Sequence, residues 1–238
     1  MRTYTKVSPV MPASIQAAAY ADTEILFDWH KVEGFKGGAI DGIKVIVRGT
    51  DGAAQTMVGI DLLFATSHIP TPSDGANVSI DVAPTTLGTT GAAVDTPGWF
   101  NNLVGYVPVT AGDFNDADLI YLNVANVNLS GEEIPVSGDL YVAAVAKGAL
   151  DFRTTARVNE TGFAAGAQTV ITVDTKDITL GFAPGDVVHA VDDAVLGTIK
   201  TVDSATQITL TKANVDAIAD SDIIYNVSPI QLILSGTV

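Results

Sequence analysis

A histidine and two aspartates lie close together near residue 190, where their chemistry could be useful to an enzyme. His189 is one of three histidines in the chain, and Asp192 and Asp193 follow it closely. An imidazole beside carboxylates can act as a general base or bind a metal ion. Catalysis of that kind also needs a nucleophile or a substrate pocket, and the local sequence contains no recognisable one.

The same stretch also has a purely structural interpretation. Side chains alternate between the two faces of a strand, so Val187, His189 and Val191 are expected to share a face. We therefore interpret His189 as a packed residue of a buried face. Asp192 and Asp193 then fall at the strand end, where aspartate favours turns by bonding its own backbone.

The other two histidines offer weaker patterns. Asp28 could orient the imidazole of His30, as a carboxylate does in a catalytic triad, but we interpret the pair as part of a solvated strand face. His68 lies in a proline-rich turn. There is no HExxH pattern or paired histidine spacing for zinc. The chain has no cysteine, which excludes thiolate zinc sites, iron–sulfur clusters and cysteine nucleophiles.

Hard oxygen ligands cluster between residues 113 and 118, at Asp113, Asn115, Asp116 and Asp118. Calcium prefers such ligands, but the stretch lacks the glycine and the closing glutamate of an EF-hand loop. A polar loop before a strand explains it, and calcium stays an open alternative. Nucleophile elbows and phosphate-binding glycine loops are also missing. We predict a protein that is not an enzyme and has no cofactor and no catalytic or metal-binding residues.

Short apolar runs separated by glycine, proline and aspartate predict an all-β fold. In residues 1–150 about seven such runs favour an antiparallel β-sandwich or barrel. The runs lie at residues 23–32, 43–49, 57–65, 77–84, 103–109, 119–129 and 139–146. Only residues 11–20 and 212–221 look helical, and both stretches are short.

The character of the chain changes after residue 150. Residues 151–166 are polar and are expected to form a linker, and residues 167–228 carry five short strands typical of a small SH3-like β-barrel. Residues 229–238 would close the first sheet or be exchanged with a neighbouring subunit. In that strand Ile230, Leu232 and Leu234 share one face, which we predict as a candidate subunit interface.

Charge limits the partners. The chain has 27 acidic and 12 basic residues and a net charge of −15. Such a surface repels nucleic acid and anionic membranes, so we expect neither as a partner. The amino-terminal stretch shows no signal-peptide pattern, and no apolar run is long enough to span a bilayer. We therefore expect synthesis in the cytoplasm.

The second unit resembles small β-modules in virion proteins of tailed bacteriophages. The resembling features are the F-x-P-G-D turn at residues 182–186, the strand start LGTI, the hairpin DSATQITL and the acidic ending ADSDIIY. The first unit, with GWFNNLVGYVPV and GDLYVAAVAKGALDF, is similar in style to capsid decoration (cement) proteins of such phages. The resemblance covers the second unit more fully than the first and carries no functional residues.

This resemblance implies a structural role in the virion. The expected protein binds the outer surface of the phage head, stabilises it, and has the major capsid protein and further copies of itself as partners, as in a homo-oligomer such as a trimer. A tail, neck or fibre-attachment protein is one alternative. A carbohydrate-binding adhesive module is another, with Trp99 and Phe100 in a surface-binding loop where an aromatic ring could stack on a sugar.

Overall fold

The computed structural model of the chain describes most of its residues, and this part is all-β, as the sequence predicts. The described residues are 2–11, 18–35, 37–51, 53–66, 103–115, 122–159, 161–174, 177–190 and 194–237. Every pairing between the strands of this part is antiparallel. The expected strand at residues 77–84 lies outside these ranges.

Six strands of the first unit form one sheet. They are β1 (Arg2–Val7), β3 (Gly37–Arg48), β6 (Phe114–Asn115), β7 (Leu122–Asn128), β8 (Ile134–Ser137) and β15 (Ile230–Thr237). The order is β1-β15-β3-β7-β6, and β8 pairs with the first residues of β3. The carboxy-terminal strand therefore lies inside the sheet, between the first strand of the chain and β3.

A second sheet of the first unit has four strands. They are β2 (Ile25–Lys31), β4 (Gly59–Ala65), β5 (Leu103–Val109) and β9 (Tyr141–Lys147), in the order β2-β9-β4-β5. The two sheets share one hydrophobic core, to which β15 contributes Leu232, β3 contributes Val45 and β4 contributes Leu62. All three side chains are fully buried, and burial of each stabilises the fold by about 2 kcal/mol.

The second unit has its own five-stranded sheet. Its strands are β10 (Val170–Thr172), β11 (Val187–Ala190), β12 (Val195–Ser204), β13 (Gln207–Leu210) and β14 (Ile224–Asn226), in the order β10-β13-β12-β11-β14. A separate cluster of buried side chains, which includes Val188, Leu196 and Ile208, forms its core. In the turn before β11, Gly185 has a φ of +93°, a conformation that favours glycine.

Of the segment expected to be a linker, residues 151–166, Phe152 packs in the core of the first unit and Thr155 bonds to Asp51 there, whereas the part from Ala156 onward belongs to the second unit. Ala156 and Val158 are fully buried in its core. The backbone N–H of Phe163 donates to the carbonyl of Ile218 at 2.9 Å, and the two residues form an antiparallel bridge. Polar residues alternate with small apolar ones here, so one side of an extended segment stays solvated while the other packs.

The prediction of a helix at residues 212–221 is wrong, because this stretch consists of bends and turns. Asn214 is buried, and its side-chain amide donates to the carbonyls of Ala164 and Asp216 and accepts from the backbone N–H of Gln168. Such bonds compete with the helical pattern. The other expected helix, residues 11–20, lies largely outside the described residues.

Candidate functional site: the outer face of the six-stranded sheet

His189 lies in β11 opposite Tyr225 of β14, and the two rings meet edge-on with centroids 6.1 Å apart. The core face of this strand is formed by Val188 and Ala190, which are fully buried, and His189 is half-buried on the opposite face. Our assignment of His189 to the core face is therefore wrong. Both faces of this strand carry apolar side chains, so alternation alone could not tell them apart. Asp192 and Asp193 lie outside the described residues.

The Asp28 and His30 pair lies on β2. The Asp28 carboxylate accepts a hydrogen bond from the backbone N–H of Trp29 at 2.7 Å, which ties it to the strand. His30 is half-buried, and burial lowers the pKa of its imidazole while the charge of Glu33 opposes that change. His68 and the predicted loop residues Trp99 and Phe100 lie outside the described residues.

Of the calcium candidates, Asp113 closes a short 3-10 turn. Its carboxylate accepts hydrogen bonds from the backbone N–H and the hydroxyl of Thr110, both at 2.7 Å, and these bonds hold its pKa below the usual range. Asp116 and Asp118 lie outside the described residues. In the part of the chain that the structure describes, no three acidic or histidine side chains are grouped to hold a metal ion. Calcium at this loop stays untested.

The predicted interface residues Ile230, Leu232 and Leu234 face the interior of their own chain. All three are fully buried in the core between the two sheets. They do share one face, as expected, but that face is not a surface, because β15 is flanked by β1 and β3 and its alternate residues point inward. The surface of this strand is formed by the opposite set, with Ile233 and Ser235.

That opposite set is part of a larger surface, which we call the outer face of the six-stranded sheet. Strand register defines two of its rows. One row runs Tyr4, Ser235, Gly42 and Asn128, and the next runs Lys6, Ile233, Lys44 and Asn126. Residues directly opposite each other in a sheet point to the same side, so each row is a continuous strip.

Four of the 12 basic residues of the chain project from this outer face. Arg2 and Lys6 alternate with buried or half-buried residues on β1, and Lys44 and Arg48 do so on β3. In each of RTYTK and KVIVR the two basic residues are four positions apart, a spacing that puts both on the same face of a strand. The signal is weak in sequence, because alternation shows that two residues share a strand face but not which way that face turns.

One end of the outer face, which we call the open end, is a groove of about 390 Å³. Its lining includes Tyr4, Lys44, Asn126, Asn128 and Ser235. The side chains are small at the centre of the row and large at its ends, which forms the channel. A Cβ at Gly42 would lie 2.7 Å from the Ser235 hydroxyl, so a larger residue in the floor would require the Ser235 side chain to move.

The opposite end of the outer face, which we call the closed end, is covered by the second unit. Asp186, from the turn before β11, approaches the Arg48 guanidinium with nitrogen–oxygen distances of 3.3 and 3.4 Å. Its side chain is 3% exposed and that of Arg48 is 11% exposed. This buried ion pair joins the two units.

Further donors complete the contact at the closed end. The Asp186 carboxylate accepts hydrogen bonds from the backbone N–H of Ala183 at 2.8 Å, from the Asn226 amide at 2.9 Å and from the Gln231 amide at 3.3 Å. Burial raises the pKa of the Asp186 carboxyl above its ordinary value, and the charge of Arg48 opposes that rise. The carboxylate thus has several donors but little water.

The outer face can bind acidic groups. Arg and Lys side chains bind carboxylates through charge-assisted hydrogen bonds, and a neighbouring tyrosine adds apolar contact area with a polar end. The closed end already uses this chemistry inside the chain, and the open end presents it to solvent.

Comparisons with known proteins add no identification. No protein-family model matches the chain, and no curated protein matches its sequence. Among the described residues, no helix is both long and apolar enough to cross a membrane.

Proposed function

We propose that this chain is a non-enzymatic structural protein of a tailed-phage virion, namely a decoration protein on the outer surface of the head. Its partners in this proposal are the major capsid protein and further copies of itself. The proposal begins from the likeness of residues 182–225 to small virion β-modules. An all-β fold agrees with it.

The observation that carries the proposal is the outer face, which holds four of the 12 basic residues of an acidic chain and is open to solvent at one end. A sheet with a packed core behind it is a rigid platform, so binding through it orders few side chains and loses little entropy. The buried contact between Arg48 and Asp186 holds the second unit against the same sheet. A protein that clamps a repeating shell needs such a rigid body, because a flexible joint would not transmit the load.

Charge supports the same role. A chain with a net charge of −15 stays soluble and separate before it docks, because like charges repel at a distance. At physiological salt the screening length is about 8 Å, so a local basic surface can still dominate at contact. The outer face is therefore suited to docking despite the overall charge.

Copy number in purified particles tests the proposal. Virus particles from the source culture are separated into heads and tails, and this chain is quantified by mass spectrometry against the most abundant shell protein. A decoration protein is expected in the head fraction at one copy per shell subunit or per few subunits. Host proteins washed from the same particles are the control for carry-over.

Other ratios contradict the proposal in distinguishable ways. A few copies per hundred shell subunits, in the tail fraction, would indicate a tail, neck or fibre-attachment protein. Absence from particles would remove the virion role, and the adhesive module would then be tested by sugar retention of Trp99→Ala. A hydrolase activity lost in His189→Ala would show that the chain is an enzyme.

A further inference from the structure

We propose that the open end of the outer face binds an acidic turn of a second copy of this chain, residues 215–222, in a head-to-tail contact. This inference rests on the self-association in the proposed function and names the two surfaces that would meet. Neither surface was singled out by the sequence patterns for catalysis, metals or interfaces.

The groove at the open end has cations available for a partner. Lys44 lines the groove, is exposed to solvent and forms no ion pair among the described residues. Arg2 is paired with Asp41 at 3.3 Å, but its side chain is 60% exposed. Tyr4, which lines the groove, is 68% exposed, an unusual exposure for a large aromatic residue. Asp41, the ion-pair partner of Arg2, also lines the groove, so the net positive charge next to the Tyr4 ring comes from Lys44.

The acidic turn has the complementary composition. Val215 is 59% exposed at its start, and Asp216 and Asp220 are exposed beyond it. The turn is held in place by Asn214, which is 1% exposed and bonds three backbone groups. A preformed turn with an apolar residue beside carboxylates matches a preformed groove with a ring beside cations, and neither has to be ordered on binding.

A second copy is the occupant that the charges favour. The molecule is strongly acidic, but a third of its basic residues lie on one sheet face. The acidic surface of a second copy is therefore complementary in charge to this face. The closed end shows the same contact within the chain, because there an aspartate on a turn of the second unit meets Arg48 of this face. Groove and turn are different patches, so the contact is heterologous and closes into a ring when the rotation permits.

Charge reversal tests the contact. In the groove variant, Tyr4→Glu is combined with Lys44→Glu. In the turn variant, Ala217→Lys is combined with Asp220→Lys, which spares Asp216 because its carboxylate accepts from the backbone N–H of Val195. A matched control reverses charge elsewhere with Val170→Glu and Lys200→Glu, two exposed positions of the second unit.

Sedimentation velocity of the full chain, from low to high micromolar concentration, measures the effect. The wild type and the matched control are expected to self-associate. The groove variant alone and the turn variant alone are each expected to self-associate at least tenfold more weakly. An equimolar mixture of the groove and turn variants is expected to associate again, because one has an intact turn and the other an intact groove. Restoration on mixing also shows that both variants are folded.

Three results would overturn the inference. They are a wild type that stays monomeric, variants that associate as tightly as the wild type, and weakened variants that are not restored by mixing. If the chain is monomeric and the groove variant alone loses binding to undecorated heads, the groove binds the shell and not a second copy. Copy number in particles is measured independently, so the proposed function can stand when this inference fails.

Discussion

Both ends of the outer face carry basic side chains, but these are buried at the closed end and exposed to solvent at the open end. At the closed end Arg48 is 11% exposed, lies against Asp186 and has lost most of its water. At the open end, two rows of the same sheet away, Lys44 is exposed to solvent. The difference shows that one sheet face can serve both as an internal joint and as an external surface.

The closed end also shows what such a contact costs. Burial raises the pKa of the Asp186 carboxyl, which means that removing its water outweighs the attraction of Arg48. The buried ion pair therefore fixes how the two units contact each other but contributes little net stability. If a partner bound at the open end and left the charged groups at the edge of the contact in water, much of this desolvation cost would be avoided.

The largest effect is expected from the core beneath both ends. Leu232→Ala removes a fully buried side chain from β15 and should lower the free energy of unfolding by about 3 kcal/mol. Chemical denaturation measures the loss, and Ile233→Ala, on the half-buried outer side of the same strand, is the control. An equal loss at both positions would mean that the two faces of the strand are not distinct.

Next in size is the closed end itself. Arg48→Met keeps most of the side-chain volume but leaves Asp186 buried without its cation, which should cost about 3 kcal/mol at neutral pH. Lys31→Met, at the exposed pair with Asp139, is the matched control and should change stability much less, because solvent screens an exposed ion pair. Similar small losses in both variants would show that the closed end is no tighter than a surface pair.

A smaller effect depends on pH. Asp186→Asn replaces a carboxylate oxygen by an NH2 group, which then faces the N–H donors of Ala183, Asn226 and Gln231. This change should lower the free energy of unfolding by about 2 kcal/mol at neutral pH. The pKa of Asp186 is raised in the folded state, so its contribution is fully present below the unfolded pKa and is lost as pH rises through the folded pKa. The difference in free energy of unfolding between the wild type and Asp186→Asn should therefore increase as the pH is lowered.

Urea unfolding of the wild type and Asp186→Asn at pH 7 and at about pH 4 measures this difference. A deficit that shrinks toward acid pH would mean that Arg48 depresses the pKa of Asp186 overall. The exposed Asp203 gives the opposite sign, because hydrogen bonds from Thr209 and Thr201 lower its pKa. Stability from Asp203 is present above its unfolded pKa and is lost as pH falls through its folded pKa, so Asp203→Asn is the control.

The smallest effect on stability is expected at the open end. Lys44→Ala removes a solvated cation without an ion-pair partner among the described residues, and should change the free energy of unfolding by less than about 0.5 kcal/mol. Thermal unfolding of the dilute chain measures it beside Arg48→Met. A loss as large as that of Arg48→Met would place Lys44 in the joint and remove the contrast between the two ends.

Much of the local structure could be predicted from the sequence. Short runs between glycine, proline and aspartate predicted an all-β chain, and the alternation in residues 229–238 correctly grouped Ile230, Leu232 and Leu234 on one face. The absence of cysteine and the net charge of −15 follow from composition alone. These properties depend on neighbouring residues or on simple counts.

Only the tertiary structure decided which face of each strand turns inward and what covers the other. It placed Ile230, Leu232 and Leu234 in the core of their own chain, put His189 opposite the core face, and divided the expected linker so that Ala156 and Val158 pack in the second unit. It also joined Arg48 to Asp186 across 138 positions of sequence. Alternation divides a strand into two faces, but pairing between distant segments determines which face loses water, and that information is not local.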